Sequence, residues 1–289
     1  MSAAAASSSA SSALRSASLR SLTSNLSPHR YAEHYHRVLA PDLLYMTYDH
    51  SPAPASLIPP TERKKDQLTW DPENPYTKNR PAKKPKGGQA LTPAVRIIKP
   101  DNVVRLEEIV LNTFVKEAAA NKNQVLSAIA GFQAMTGESI PGYASDGAQP
   151  SSSNRTSGIQ ITRTSRASAS FKVRAGQVAG VKVGLKGEPM WSFLETLVDL
   201  VLPRMKDWNG VRLPPPSVNP RSVSSTGGVV AFGLPPSAMA LFPGIEANLE
   251  QYPKLHGFHI QFITNAKGRG AQDQARALLS GFRIPFIAA

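Results

Sequence analysis

Proline placement limits what this chain can fold into more than any other feature of its sequence. It has 25 prolines in 289 residues, well above the usual share of about 5%. Eight of them, Pro52, Pro54, Pro59, Pro60, Pro72, Pro75, Pro81 and Pro85, fall in one stretch. A fixed φ and a missing amide proton break both helix and strand, so that stretch predicts no regular element. A self-contained fold must come from residues 91–289, a length that suits one sizeable domain.

The residues before that domain divide in two. Residues 1–27 hold eleven Ser and seven Ala, and no acidic residue precedes Glu33, whereas Arg15, Arg20 and Arg30 are basic. A Ser-rich, Arg-bearing, acid-free start predicts an organellar transit peptide over 1–32, mitochondrial rather than plastid; a plain Ser/Ala tail is the alternative. Residues 33–90 read as a Pro-rich basic extension. Tyr35, Tyr45 and Tyr48 with Leu39, Leu43 and Leu44 can form a short anchoring helix. Beyond them Trp70, Tyr76 and the cluster Lys83, Lys84, Lys86 suit an arm that orders on a partner, or else a linker.

Within 91–289 the periodicity predicts strands at 105–112, 159–164, 171–174, 180–186, 229–234 and 257–264. Helices are expected at 116–135, where Val125, Ile129 and Phe132 share a face before Gly137, at 190–202 along Met190, Leu194, Leu197 and Val201, and at 272–279, closed by Gly281. Strands broken by single helices, without regular βαβ alternation, indicate an α+β fold: a mainly antiparallel sheet with helices on one face. Residues 139–158 form an unusually long loop.

Several chemistries are excluded or unsupported. With no cysteine, thiol catalysis, disulfides and iron–sulfur clusters are impossible. No apolar run approaches the ~18 residues of a membrane span. No phosphate-binding loop, nucleophile elbow or dinucleotide fingerprint is present. His34 and His36 lack a third ligand, and His256 and His259 read as core or solvated histidines. The sequence therefore predicts no cofactor, no metal and no enzyme activity.

Charge points the other way, to a polyanionic partner. The formal net charge is +13. The 41 residues from Gly147 to Gly187 hold no Asp or Glu, but include Arg155, Arg163, Arg166, Lys172, Arg174, Lys182 and Lys186. Both signs mix on an ordinary solvated surface; a one-sign stretch over a loop and strands predicts contact with a phosphate backbone. Because Arg and Lys alternate with Ile, Phe and Val there, one sheet face can be basic and the other buried.

The same stretch carries a resemblance. Ile161-Thr-Arg-Thr-Ser-Arg166, Phe171-Lys-Val-Arg-Ala-Gly176, Gly180-Val-Lys-Val-Gly-Leu-Lys-Gly187 and Met190-Trp-Ser-Phe-Leu194 are similar, in that order, to the centre of the bacterial-type large-subunit ribosomal protein L-five family. Val110-Leu-Asn112 resembles its early T-L-N strand. Pro203-Arg204, Asp207 and Gly210 resemble its P-R-x-x-D-x-x-G, and Ala275–Leu279 with Phe282–Phe286 its C-terminal ending. The chain departs from the family in the long 139–158 loop, in Pro243-Gly244-Ile245 where the family has P-E-I, and in Ser225–Gly228 where it has F-D-G-R-G-N. Residues 1–90 have no bacterial counterpart, which indicates the mitochondrial branch.

The resemblance implies a structural constituent of the mitochondrial large ribosomal subunit, in its central protuberance. The implied partners are large-subunit rRNA, 5S rRNA where the organelle has it, peptidyl-site tRNA, the small-subunit head and neighbouring mitochondrial ribosomal proteins. The expected RNA-binding residues are Asn112, Arg163, Arg166, Lys172, Arg174, Lys182, Lys186 and Arg204. The alternatives are a free mitochondrial RNA- or tRNA-binding factor on the same fold and, less well supported, an enzyme with an unrecognised site.

Overall fold

A computed structural model describes residues 29–48, 73–76, 80, 98–119, 121–140, 158–170, 173–206, 208–212, 226–268 and 270–287. Most of the expected transit peptide and Pro-rich arm, the centre of the long loop, and Phe171, Lys172 and Asp207 lie outside these residues.

The centre of the fold is strand β1, Leu106–Phe114. Its period-2 pattern aims Ile109, Leu111 and Thr113 at the core and Asn112 and Phe114 away from it. Four further strands complete the sheet: β2 (Gly158–Arg163), β3 (Val178–Leu185), β5 (Val229–Leu234) and β6 (Phe258–Thr264). The order is β2-β3-β1-β6-β5, and every pair is antiparallel. A separate parallel pair, not anticipated from the sequence, joins β4 (Val211–Arg212) to β7 (Phe286–Ile287) near the C-terminus.

The helices cover the inward face. Helix α2 (Gln124–Thr136) buries Val125, Ile129 and Phe132, and Gly137 stops it in a left-handed conformation. Phe132 meets Phe258 of β6 edge-on, with ring centroids 6.1 Å apart. The predicted helix after Pro189 runs as Glu188–Glu195, a π-turn Thr196–Val201 and Leu202–Arg204, together α3. Its expected stripe of Met190, Leu194, Leu197 and Val201 is fully buried. Two short helices, α4 (Pro236–Ala240) and α5 (Pro243–Glu246), were not legible because each spans little more than a turn. Among the described residues, no helix is long and apolar enough to cross a membrane.

Three expected elements differ. The helix expected at 116–135 begins only at Gln124, and Lys116–Ala119 form a separate 3-10 turn before it. Of the strand expected at 171–174, the first two positions lie outside the described residues, Val173 makes only an isolated antiparallel bridge to Ser168, and Arg174 is in no strand. The last helix, α6 (Ala271–Gly281), continues through Gly281 rather than stopping before it. The left-handed turn falls on Arg283 instead, at φ 66°.

The short helix expected in the N-terminal extension is part of the domain core. Arg30–His34, a π-turn Tyr35–Leu39 and Ala40–Thr47 run on as one rod, α1. It buries Tyr31, Tyr35, Leu39 and Leu43 in the same core cluster as the sheet, whereas Tyr45 and Tyr48 face solvent. Those four buried residues are spaced by four. On an α-helix each such step rotates the side chain by about 40°, and the wider π-turn reduces that drift. Both π-turns among the described residues precede a proline, Pro41 and Pro203, and each ends in an i→i−5 bond, Ala40 N–H to Tyr35 O and Leu202 N–H to Leu197 O. Widening the helix there accommodates a ring that would otherwise strike the preceding turn.

Polar contacts fasten α1 as well. The Tyr35 hydroxyl donates to Val104 O at 3.0 Å, and the Tyr31 hydroxyl donates to the Asp199 carboxylate at 2.8 Å. Burial, aided by that carboxylate, pushes the Tyr31 phenol up to about 12. Arg30 pairs with Asp199 and, at 3.0 Å, with Glu195. Tyr31, Tyr35 and Trp191 surround Phe282, with ring centroids 5.8–6.5 Å from it.

Gly281 is small because Leu39 needs the space: a Cβ there would lie 2.6 Å from Leu39 Cδ2. Gly281→Ala should therefore destabilise the fold by about 1–3 kcal/mol through overpacking, despite the better helix propensity of alanine. Leu39→Ala alone should cost about 2–5 kcal/mol. In the Leu39→Ala background the Gly281→Ala change should become close to neutral. Urea denaturation of the four proteins measures this coupling.

Candidate nucleic-acid interface

The sheet register assembles the outward face into rows. Gln160 pairs with Lys182, Lys182 with Asn112, Asn112 with His259 and His259 with Gly233. Neighbouring strands lie about 4.8 Å apart, so the four polar side chains of this row span roughly 14 Å. One flanking row runs Thr162, Gly180, Phe114; the other runs Gly158, Gly184, Val110, Gln261, Ala231. Asn112, Phe114, His259, Ala231 and Gly233 are exposed. Among the described residues, the side chains of Asn112 and Lys182 make no hydrogen bond or ion pair. Their donors and acceptors are available to a ligand. Gly180 is fixed by crowding, since a Cβ would lie 2.0 Å from Thr113 O.

The chain between β2 and β3 prolongs the sheet as a narrow ribbon. Thr164 N–H bonds Gln177 O at 2.9 Å, and Gly176 N–H bonds Thr164 O at 2.8 Å. Ser168 and Val173 exchange backbone bonds of 3.0 and 3.1 Å. The Thr164 hydroxyl adds a 2.5 Å bond to Arg174 O. Arg163, Arg166 and Arg174 are all exposed along this ribbon. The Arg163 guanidinium donates to Gly176 O at 3.1 Å, whereas the Arg166 and Arg174 guanidinium groups have no partner among the described residues.

Not every expected residue joins this surface. Lys186 lies at its margin and pairs with Glu108 at 3.5 Å. Arg204 lies elsewhere, at the end of α3, where its guanidinium fork grips both Glu246 carboxylate oxygens at 2.6 and 2.7 Å. That bond holds the Glu246 carboxyl below the usual carboxylate range. Conversely, Gln160, Thr162, His259, Gln261 and Phe114 share the outward face but were not singled out from sequence. The period-2 pattern alone could have placed them there, once the register was given.

The described residues contain no cluster of three or more metal-ligating side chains. The one buried histidine among the described residues, His256, stands in the core beside Lys254 and Glu117, and its Nε2 has no hydrogen-bond partner there.

With this geometry in place, sequence comparison gives the family. Residues 178–286 match the profile of the ribosomal L-five family C-terminus. The "Large ribosomal subunit protein uL5m" of Schizosaccharomyces pombe is 36% identical over 240 residues, which are 82% of this chain and 74% of that protein. The chain belongs to the uL5 family of large ribosomal subunit proteins. The uL5m of Neurospora crassa is 32% identical over 259 residues, 89% of this chain and 64% of that protein. The uL5 of the bacterium Symbiobacterium thermophilum is 34% identical over 184 residues, 64% of this chain and 83% of its own. Fungal uL5m proteins therefore align beyond the block shared with bacterial uL5. This uL5 protein is a mitochondrial one and a structural component of the ribosome.

Burial, with a smaller push from Lys254 and against the pull of Glu117, moves the His256 imidazole below its ordinary value. Below the unfolded value near pH 6.5, the unfolded chain then binds a proton that the native protein refuses. Stability must fall as pH drops through that value towards the native one. The melting temperature should decrease between pH 7.5 and 5.5, and less so in His256→Gln; thermal melts across that range check it.

Proposed function

We propose that the chain holds rRNA in the central protuberance of the mitochondrial large subunit, using the outward sheet face and the β2–β3 ribbon as one surface. The observation that carries this reading is the two-sided sheet: helices bury one face, while the other presents Asn112, Lys182 and His259 beside an acid-free basic ribbon. Phosphate contacts from the ribbon fix position, and amide and hydroxyl groups on the sheet reach sugar or base. The ribbon, carrying Arg163, Arg166 and Arg174, with Lys172 in the same stretch of sequence, extends beyond the sheet. It suits a contact with peptidyl-site tRNA and the small-subunit head. Residues 33–90 supply neighbour contacts in part, with α1 as their anchor on the domain. Where the organelle has 5S rRNA, that RNA is a candidate ligand of the same face.

Reversing two ribbon charges tests the electrostatic part. Each phosphate contact contributes roughly −0.7 to −0.9 to the slope of log K against log[salt]. Arg163→Glu/Arg174→Glu should bind rRNA fragments more weakly, with a slope shallower by about 1.4–1.8. The fold should survive, because both side chains are exposed. An unchanged slope would remove these residues from the interface. Sedimentation with the large subunit in moderate salt separates a ribosomal protein from a free RNA-binding factor.

We also propose that import removes at least part of the segment preceding α1. Tyr31 is buried and the rod starts at Arg30, so a cut beyond that point would take away part of the core. N-terminal sequencing of the organelle-purified protein should find its start between about residues 16 and 29. A mature protein that retains Met1 or Ser2 would overturn this.

A further inference from the structure

Phe114 is placed where folding gives no reason for a phenylalanine. Its side chain is 71% exposed, whereas every other described phenylalanine is buried or half-buried. The strand cannot turn it inward. Thr113 next to it is buried, and its hydroxyl donates to Gly257 O at 2.7 Å. A one-residue slip that hid the ring would expose the whole inward set of β1.

The surroundings of the ring leave it bare. Across the β1–β3 pair it faces Gly180, where no side chain fits against Thr113 O. The β1–β6 pairing ends at Asn112 and His259, so no β6 side chain is paired with it. On the same face, Asn112 lies two residues back on β1, Lys182 is the diagonal neighbour on β3, and Thr162 continues the row on β2. An aromatic face is therefore framed by an amide, a hydroxyl and a cation.

We propose that Phe114 is a stacking platform for one unpaired base of an RNA strand lying on the outward sheet face, with Asn112 and Lys182 holding that nucleotide's polar edge or phosphate. The inference rests on the reading of that face as the rRNA surface, and adds to it the recognition of an unstacked, single-stranded base. Charge favours this occupant: the adjoining β2–β3 segment lacks any acidic residue, and Glu108 on the same face is paired with Lys186. A base offers a π-face to the ring and hydrogen-bonding atoms to Asn112 and Lys182. An apolar side chain from a protein neighbour would cover the ring and leave those polar groups desolvated without partners.

The test uses the purified chain and transcripts of large-subunit rRNA from its own organelle. Phe114→Ala should lower affinity about ten- to a hundredfold with the salt slope unchanged, since stacking releases no counterion. Phe114→Trp should restore binding, and its added fluorescence, read against the wild-type tryptophans Trp70, Trp191 and Trp208, should be quenched by RNA. Lys182→Gln should lower affinity and make the slope shallower. If Lys182→Gln weakens binding but Phe114→Ala does not, the stacking proposal fails and the rRNA surface stands. If neither changes the binding of a transcript that the wild type holds, the reading of the face itself fails. Emission from Phe114→Trp that shifts only when a neighbouring ribosomal protein is added would assign the ring to a protein contact and overturn the proposal. Should Phe114→Ala melt early, the quenching of Phe114→Trp decides alone.

Discussion

The two-sidedness of strand β1 organises the rest of the molecule. Successive side chains of a strand point to opposite faces, so Ile109 and Leu111 can be core only if Asn112 and Phe114 are surface. Pairing with β3 on one side and β6 on the other transmits this division across the sheet. Val181, Val183 and Leu185 follow Ile109 and Leu111 inward, as do Phe258, Ile260 and Phe262. The described helices then pack on the inward side, and the other face keeps its polar groups exposed. Core formation and the exposure of that polar face are one event here, because a single register sets both.

The ends of the described chain are tied by packing at a second centre. Phe282, just past α6, contacts rings from α1 and α3. Leu39 of α1 fills the space left by the missing Cβ of Gly281. A segment whose sequence reads as extension thus anchors on the domain through aromatic and aliphatic burial, with Tyr35 and Tyr31 hydroxyls bonded to Val104 and Asp199. The prolines at 41 and 203 do not break their rods, because a π-turn precedes each one. Sequence rules for proline speak of an ideal α-helix and are silent about that adjustment.

Legibility varied with the range of the interaction responsible. The strands of the large sheet, the buried stripe of α3 and the stop at Gly137 were readable, since each follows from local periodicity or backbone freedom. The β4–β7 pair was not, because it joins residues more than seventy positions apart. Val173 was expected in a strand from its alternating neighbours, yet it finds a partner only in Ser168. Arg204 belonged to the expected RNA-binding set by motif, but its guanidinium is engaged by Glu246, a partner forty-two residues away. His259 passed as unremarkable until the register aligned it with Asn112 and Lys182, and Gln261 until the register set it in the row beside them.

What the sequence determined by itself was the inventory and its local arrangement: an α+β chain, a basic segment without carboxylates, the absence of cysteine chemistry, and motifs in the order of the uL5 family. These are properties of composition and of short-range periodicity, which survive without knowledge of distant partners. Only the tertiary structure decided which outward residues stand side by side, that Arg204 is engaged in an internal ion pair, that residues 30–47 belong to the core, and that Phe114 is left uncovered. Each of these depends on which strand or helix lies next to which, and adjacency between residues far apart in the chain is set by the collective packing of one core.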